Sequence, residues 1–177
     1  MHRILVIGSG GAGKSTLARR VGATLGLPVI HLDALYWQPG WVPTPENEWE
    51  QRVAALVAGA RWVMDGNYGG TLDQRLAVCD TVVFLDLPRW LCLARVVWRR
   101  LRYAGRTRPD VAPGCAEQVS WEFVSWIWKY PHRRRPGILR RLAVLPADRQ
   151  VVVLRSRREV MRWLATLSDR ALTAPAP

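Results

Sequence analysis

The N-terminal sequence Arg3-Ile4-Leu5-Val6-Ile7-Gly8-Ser9-Gly10-Gly11-Ala12-Gly13-Lys14-Ser15-Thr16 joins an aliphatic run to a glycine-rich segment. An aliphatic run that ends at a glycine is typical of a strand buried on both faces. The next residues match the pattern GxxxxGK[ST], with Gly8 and Gly13 as its fixed glycines. Apolar residues then recur at helical spacing from residue 17 to residue 25. This order of strand, loop and helix predicts a loop that wraps a phosphate group.

Each residue type in the loop has a chemical role. Glycines let the chain curl until backbone N–H groups face phosphate oxygens, an approach that a Cβ would obstruct. We expect Lys14 to reach the β- and γ-phosphates and Ser15 to ligate Mg²⁺, at the positive end of a helix. The predicted nucleotide-binding residues are Gly8, Ser9, Gly10, Gly11, Ala12, Gly13, Lys14, Ser15 and Thr16. The predicted cofactors are therefore ATP and Mg²⁺, against the alternative that the glycines form only a flexible turn.

Strand and helix patterns alternate along the rest of the chain. Strand-like runs lie at 29–32, 61–65, 81–86 and 150–154, helical patterns lie between them, and the proline-rich stretch 38–45 predicts a loop. Such alternation predicts an α/β fold of three layers, in which helices cover both faces of a parallel sheet. The length of 177 residues suits one domain. We expect that domain to span residues 1–168, with a helical lid at about 99–135 and a disordered tail at 169–177.

Three aspartates stand at the carboxyl ends of predicted strands, where parallel sheets present groups that contact ligands. We assign Asp65 to a water-mediated Mg²⁺ contact. Asp33 is predicted to accept a proton from the acceptor or to orient it, with a purely structural role as the alternative. Asp86 precedes Leu87-Pro88 and is predicted to cap the helix that begins there.

Aromatic and glycine-rich segments follow the second and third strands, at the same sheet edge as the loop. They span residues 35–41 and 66–70. The predicted substrate-binding residues are Asp33, Trp37, Gly66, Asn67 and Tyr68. Trp37, Trp41 and Tyr68 either stack on a planar group or belong to the core, because the chain has ten tryptophans in all. The identity of the small-molecule acceptor stays open.

The net charge of +12 is concentrated in one segment. Residues 89–141 carry thirteen basic and three acidic side chains, whereas residues 1–88 carry seven and eight. The segment predicts a lid that grips the triphosphate, a face that binds nucleic acid, or a solvated basic surface. We expect lid arginines to stabilise the transferred phosphoryl group and a later arginine to cover the adenine. The predicted catalytic residues are Lys14, Asp33, Asp65, Arg99, Arg100, Arg106 and Arg134, and Arg155 is the predicted adenine contact.

The sequence gives little support for a disulfide framework, a zinc site or a membrane location. The three cysteines and three histidines form no CxxC pair or other metal-binding spacing, so neither a disulfide framework nor a zinc site is predicted. The apolar runs are much shorter than the roughly 20 residues that span a bilayer. We expect a cytoplasmic protein without a cleaved signal or a membrane partner. The oligomeric state cannot be read from these features.

Five segments resemble the nucleoside-monophosphate-kinase branch of P-loop proteins, and most closely the adenylate-kinase-related family called DNA topology modulation proteins. They are Ile7 to Thr16, His31-Leu32-Asp33 with Tyr36-Trp37, Asp65-Gly66-Asn67-Tyr68, Phe84-Leu85-Asp86-Leu87-Pro88-Arg89, and Gly105-Arg106-Thr107-Arg108-Pro109. The resemblance covers nearly the whole chain.

This resemblance implies a five-stranded parallel sheet in the order 2-3-1-4-5 and phosphoryl transfer from ATP. It also implies that Arg99 or Arg100 is a lid arginine. Adenylate kinases have Gly-Phe-Pro-Arg where this chain has Gly66-Asn67-Tyr68-Gly69, so the arginine that contacts the acceptor phosphate is missing. The leading prediction is a phosphotransferase with a small acceptor. The alternative is a nucleotide-regulated ATPase or DNA-binding protein that uses residues 89–141.

Overall fold

A computed structural model describes residues 1–103, 110–116 and 118–173. The strands are β1 (Arg3–Gly8), β2 (Val29–His31), β3 (Trp37–Gln38), β4 (Val42–Pro43), β5 (Trp62–Asp65), β6 (Thr81–Leu85) and β7 (Gln150–Leu154). The helices are α1 (Lys14–Leu25), α2 (Leu32–Tyr36), α3 (Glu46–Val57), α4 (Leu72–Val78), α5 (Arg89–Arg102), α6 (Trp121–Arg133), α7 (Arg135–Ala143) and α8 (Arg157–Thr173). A 3₁₀ turn covers Gly69–Thr71.

The main sheet is parallel and has the order β2-β5-β1-β6-β7. This order confirms the predicted fold class and strand arrangement. β1 lies in the centre, where Val6 pairs with Asp65 on one side and Gly8 with Leu85 on the other. The loop that follows β1 therefore begins in the middle of the sheet edge, between the chain segments that leave β5 and β6.

The sheet divides the core into two layers because successive strand residues face opposite sides. Ile4 and Val6 of β1 face the layer that contains α1, α5 and α8. Leu5 and Ile7 face the layer that contains α3, α4 and α7. All four side chains are fully buried, which explains why residues 4–7 of β1 are all aliphatic rather than alternating.

Two predicted features differ from the structure. The stretch 38–45 was predicted to be a loop, but it contains part of an antiparallel hairpin in which Trp37 pairs with Pro43. Helix α5 has Pro88 as its N-cap and no side-chain cap, so the prediction that Asp86 caps it was wrong. Pairing across a two-residue strand leaves too short a pattern to be read from sequence.

The structure describes only part of the predicted lid and of the predicted C-terminal tail. Helix α8 continues to Thr173, so the predicted boundary at residue 168 falls inside a helix, and residues 174–177 lie outside the described residues. Residues 104–109, which include Arg106, also lie outside them. Within the described ranges, no helix has the length and apolar character needed to cross a bilayer.

Candidate active site

The phosphate loop curls tightly between β1 and α1. Gly11 and Gly13 have φ values of 75° and 94°, a region that favours glycine. A Cβ on Gly8 would lie 2.7 Å from the carbonyl oxygen of Leu85, so the loop leaves β1 pressed against β6. Gly13 is the N-cap of α1, and no side chain caps the first N–H groups of that helix. These donors therefore remain available to an anion.

Lys14 extends along this loop. Its Nζ donates a hydrogen bond to the carbonyl oxygen of Ser9 at 3.1 Å, which holds the ammonium beside the loop. Burial lowers the pKa of Lys14, and the negative charges of Asp33 and Asp65 oppose this shift. A bound phosphate would add further negative charge beside this half-buried ammonium.

Ser15, Asp65 and His31 form a connected group at the start of α1. The hydroxyl of Ser15 donates to Asp65 Oδ2 at 2.7 Å, and His31 Nδ1 lies 2.5 Å from Asp65 Oδ1. The hydrogen bond to Asp65 raises the pKa of His31. The same bond holds the imidazole against the carboxylate. Sequence reasoning assigned no role to His31, although it ends β2 beside β5.

The donor set at this point fits Mg²⁺. Asp65 is 4% exposed, and it brings a carboxylate oxygen next to the Ser15 hydroxyl oxygen. No group of three or more histidine, cysteine or acidic residues suited to a metal comes together in the described part of the chain. Mg²⁺ is commonly held by one or two protein oxygens together with substrate phosphates and water rather than by a full protein cage. A serine and one aspartate next to a phosphate loop match that pattern.

Asp33 lies on α2 and is bound by a tyrosine from the turn after β5. Tyr68 Oη donates to Asp33 Oδ1 at 2.7 Å. Burial, together with the negative charge of Asp33, raises the pKa of Tyr68 far above its ordinary value, so the phenol stays protonated as a donor. The Tyr68 ring packs against Tyr36 and Trp49, with centroids 4.6 and 5.0 Å away. Tyr36 and Trp49 therefore hold the Tyr68 ring in place, and the Tyr68 hydroxyl orients Asp33.

The turn that carries Tyr68 is also attached to the phosphate loop. Asn67 Oδ1 accepts from the Gly8 N–H at 3.0 Å, and Asn67 Nδ2 donates to the Gly8 carbonyl at 2.6 Å. Both ends of the Asn67 amide are thus engaged by the protein. Gly66 is buried, and a Cβ there would lie 2.9 Å from Leu32 Cβ. The structure therefore places Gly66 away from the cleft and gives Asn67 a link to the loop.

One cleft of about 1740 Å³ is lined by Lys14, Ser15, Asp33 and Tyr68 together with several arginines, whereas Asp65 is buried behind Ser15 and does not line it. Arg95 Nη1 donates to the carbonyl of Ala12 at 2.9 Å, which brings a guanidinium to the phosphate loop. Arg99, four residues later on α5, and Arg134 also line the cleft. Arg100 is exposed and does not line it. Arg95 was not predicted, although its spacing from Arg99 places both on one helix face.

Arg155 and Asp86 belong to a separate ion-pair group. Arg135 forms two hydrogen bonds with Asp86, at 2.7 and 2.9 Å, and Arg155 Nε lies 3.8 Å from Asp86 Oδ2. Asp86 thus holds the start of α7 to the end of β6 instead of capping α5. Arg155 does not line the cleft, so the structure places it beside Asp86.

Comparison of the sequence with protein-family models and with curated proteins finds no significant match. Solved structures do match. The shikimate kinase from Bacteroides thetaiotaomicron is 18% identical with a TM-score of 0.54, over 96% of this chain and 97% of that chain. The shikimate kinase from Acinetobacter baumannii, in complex with shikimate, is 16% identical with a TM-score of 0.55, over 98% and 94% of the two chains. A gluconokinase from Sinorhizobium meliloti 1021 is 17% identical with a TM-score of 0.52, over 97% and 95%.

The fold is that of the small P-loop kinases. At these identities the likeness establishes the fold alone. The narrower resemblance to DNA topology modulation proteins, on which these structures do not bear, stays a prediction.

Within this P-loop kinase fold, part of the predicted lid reaches across to the β3–β4 hairpin. The Gly40 N–H donates to the Gly114 carbonyl at 3.2 Å, and Trp41 Nε1 donates to the Ala116 carbonyl at 2.9 Å. Cys115 is 1% exposed, in a small cluster packed against Trp37 and Trp41. Residues 110–116 of the predicted lid therefore dock on the side of the cleft that Trp37 and Trp41 line. Trp37 and Trp41 have a packing role here, which was one of the two roles considered for them.

Proposed function

We propose that the protein is a Mg-ATP-dependent phosphotransferase that transfers the γ-phosphoryl group to a small acceptor. One observation carries this proposal. A single cleft is lined by Lys14 of the phosphate loop and by Asp33, which Tyr68 orients. A phosphoryl donor and an acceptor that bind in one cleft can be held in line, and positioning is a large part of catalysis in phosphoryl transfer.

Each residue has a role in this proposal. Lys14 binds the phosphate oxygens, while Arg95 and Arg99 lie where they can neutralise charge on the transferred group. Ser15 would hold Mg²⁺ through its hydroxyl and Asp65 would contact it through water, and the ion would neutralise charge on the phosphates. Asp33 receives the acceptor proton as the acceptor oxygen bonds to the γ-phosphorus and the bond to the leaving ADP oxygen breaks.

A transfer assay tests the proposal. Purified protein is incubated with γ-labelled ATP, Mg²⁺ and a panel of nucleosides, nucleotides, sugars and small hydroxy acids. We expect label on one chemical class, and we expect Lys14→Ala to remove it. Label that appears only as inorganic phosphate across the panel would overturn the kinase proposal.

A second candidate function, nucleotide-regulated binding of nucleic acid, is favoured by exposed tryptophans in the basic segment. Trp90, Trp98, Trp121 and Trp128 are 66%, 59%, 78% and 50% exposed. The Arg89 guanidinium lies 3.9 Å from the centroid of the Trp128 ring. Exposed aromatic rings beside arginines are the groups on which single-stranded bases stack while the phosphates are neutralised.

Salt titration distinguishes this candidate. Binding of single-stranded and duplex DNA is measured from low to physiological salt, with and without ATP. A phosphate-binding face predicts affinity that falls steeply as log salt rises. Absence of binding at low salt, or binding without a salt slope, excludes the second candidate.

A further inference from the structure

Arg75 is a buried arginine in a position where the sequence gives no reason to expect one. It lies on α4 between the core residues Leu72 and Leu76, and it is 0% exposed. Among the described residues, no carboxylate forms an ion pair with it, and burial lowers the pKa of Arg75 to about 10. An unpaired buried cation is expensive to maintain, so its surroundings must compensate for the lost water.

Backbone carbonyls provide that compensation. Arg75 Nε donates to the carbonyl of Thr71 at 3.2 Å, and Nη1 donates to that of Gly66 at 2.8 Å. Nη2 donates to the carbonyls of Asn67 and Tyr68, at 2.5 and 2.8 Å. Three successive carbonyls of one turn thus converge on a single planar guanidinium. Lysine, a compact ammonium without a planar fork, cannot reproduce this arrangement.

This turn connects the two halves of the site. Asn67 is bonded to both backbone groups of Gly8, where the phosphate loop begins. Tyr68 is bonded to Asp33 on the acceptor side. Its φ of 31° is unusual for a residue with a side chain, so the turn does not hold this shape by backbone preference alone.

We propose that Arg75 is a positioning residue that fixes the shape of the turn at residues 66–68. That shape sets the position of the phosphate loop relative to Asp33 and the aromatic residues around it. Its guanidinium acts through Asn67 and Tyr68 and touches no substrate. The assignment rests on the proposed function only for its effect on transfer. Its effect on nucleotide binding follows from the link between Asn67 and Gly8 and needs no acceptor.

The test compares Arg75→Lys and Arg75→Met with Arg149→Met. Arg149 is a matched control, because its guanidinium also bonds carbonyls of the α4 region, those of Ala77 and Cys79, but at the end away from the turn. Measurements are the melting temperature, the affinity for a non-hydrolysable ATP analogue, and hydrogen exchange of peptides that contain residues 4–12 and 64–71.

We expect both Arg75 variants to bind the analogue about tenfold more weakly and to exchange faster in both peptides. A tenfold change corresponds to about 1.4 kcal/mol, the scale of a lost hydrogen bond. Arg149→Met should lower the melting temperature without either effect. Analogue affinity within twofold of wild type in a folded Arg75 variant would overturn the proposal.

A double-mutant cycle with Asn67→Ala keeps the test decisive if Arg75→Met does not fold. Asn67→Ala breaks the link to Gly8 while keeping the guanidinium. We expect Asn67→Ala and Arg75→Lys to be non-additive in analogue affinity, because both act through one connection. Additive losses would contradict the proposal. If the wild type binds ATP but transfers phosphate to no acceptor, the kinase proposal fails while the result for Arg75 stands.

Discussion

At the scale of single residues, Lys14 is where the proposed nucleotide binding should be most sensitive to substitution. Its ammonium is half-buried beside the phosphate loop, where a bound phosphate would add to the negative charges of Asp33 and Asp65. At an ATP concentration about 100-fold above Kd, we expect ATP to raise the wild-type melting temperature by roughly 5–10 °C. Lys14→Ala should abolish this shift, which differential scanning fluorimetry measures.

The matched control is Lys129→Ala, since Lys129 is the chain's other lysine and is exposed on α6. It should keep the full ATP-induced shift. An unchanged shift in Lys14→Ala would show that the nucleotide binds elsewhere.

Under the proposed function, Asp65 should set how strongly ATP binding depends on Mg²⁺. Its two carboxylate oxygens are shared between Ser15 and His31. Asp65→Asn removes the negative charge that would attract the metal and the water between them, so Mg²⁺ should strengthen ATP binding less. We expect the Mg²⁺-dependent gain in affinity to fall about tenfold, measured by calorimetry with and without the metal.

Asp73→Asn serves as the comparison for Asp65→Asn, because Asp73 forms an exposed ion pair with Arg141. It should leave the Mg²⁺-dependent gain unchanged. If Asp65→Asn also leaves it unchanged, Asp65 does not support the metal.

At the scale of elements, Gly11 sets how closely the phosphate loop packs on α5. Its φ is 75°, and a Cβ there would collide with the carbonyl oxygen of Cys92. Gly26 has a similar φ of 61° at the end of α1, but open space surrounds it. Gly11→Ala should lower the free energy of unfolding by about 2–4 kcal/mol and Gly26→Ala by about 1 kcal/mol. Urea unfolding measures both, and equal losses would mean that contact with α5 is unimportant.

Asp80 joins the segment before β6 to the start of β1. Burial alone would raise the pKa of Asp80, but hydrogen bonds from the backbone N–H groups of Arg3 and His2 outweigh it and hold that pKa below its ordinary value. A depressed carboxyl pKa stabilises the fold above the unfolded pKa of about 4, and this is lost as pH falls through the folded value. Asp80→Asn should therefore lower the free energy of unfolding by about 1 kcal/mol at pH 7, a value that already allows for solvent screening. Below about pH 4 the loss should be smaller.

Unfolding in urea at pH 7 and pH 3 tests this for Asp80→Asn and the wild type. The difference between the two proteins should narrow at pH 3. A difference that is constant with pH would assign the effect to packing instead of charge.

For the whole molecule, the position of residues 110–116 depends on contact with a segment distant in the chain. Trp41 packs on the cluster of Val111, Ala112 and Cys115, and its Nε1 donates to the Ala116 carbonyl. Trp41→Ala should speed hydrogen exchange in the peptide that contains residues 110–116 by about tenfold, with little change in α1 or β1, because only the docking contact is lost. Trp121→Ala is the control, since that side chain is 78% exposed. Equal exchange in both variants would show that the hairpin does not hold the lid.

The parts of the fold that depend on sequence patterns within one segment could be predicted. The aliphatic strands, the glycine loop and the strand order implied by the resemblance all agree with the structure. Predictions failed where a side chain had several possible partners. Asp86 had the sequence context of a helix cap, yet a guanidinium 49 positions later binds it more favourably. Arg75 gave no signal and His31 was noted only as part of the resemblance, because their partners come together only when β5 and the turn after it are in place.

Short-range chemistry explains what the residues alone determined: periodicity defined the strands and helices, and the glycines and Lys14 defined the phosphate loop. Tertiary structure decided which arginines enter the cleft, which groups surround Asp65, and how the turn at residues 66–68 joins the two sides of the site. These contacts connect residues far apart in the chain, such as Gly8 and Asn67. They depend on how helices pack over a sheet, and the spacing of residues along one segment does not encode that geometry.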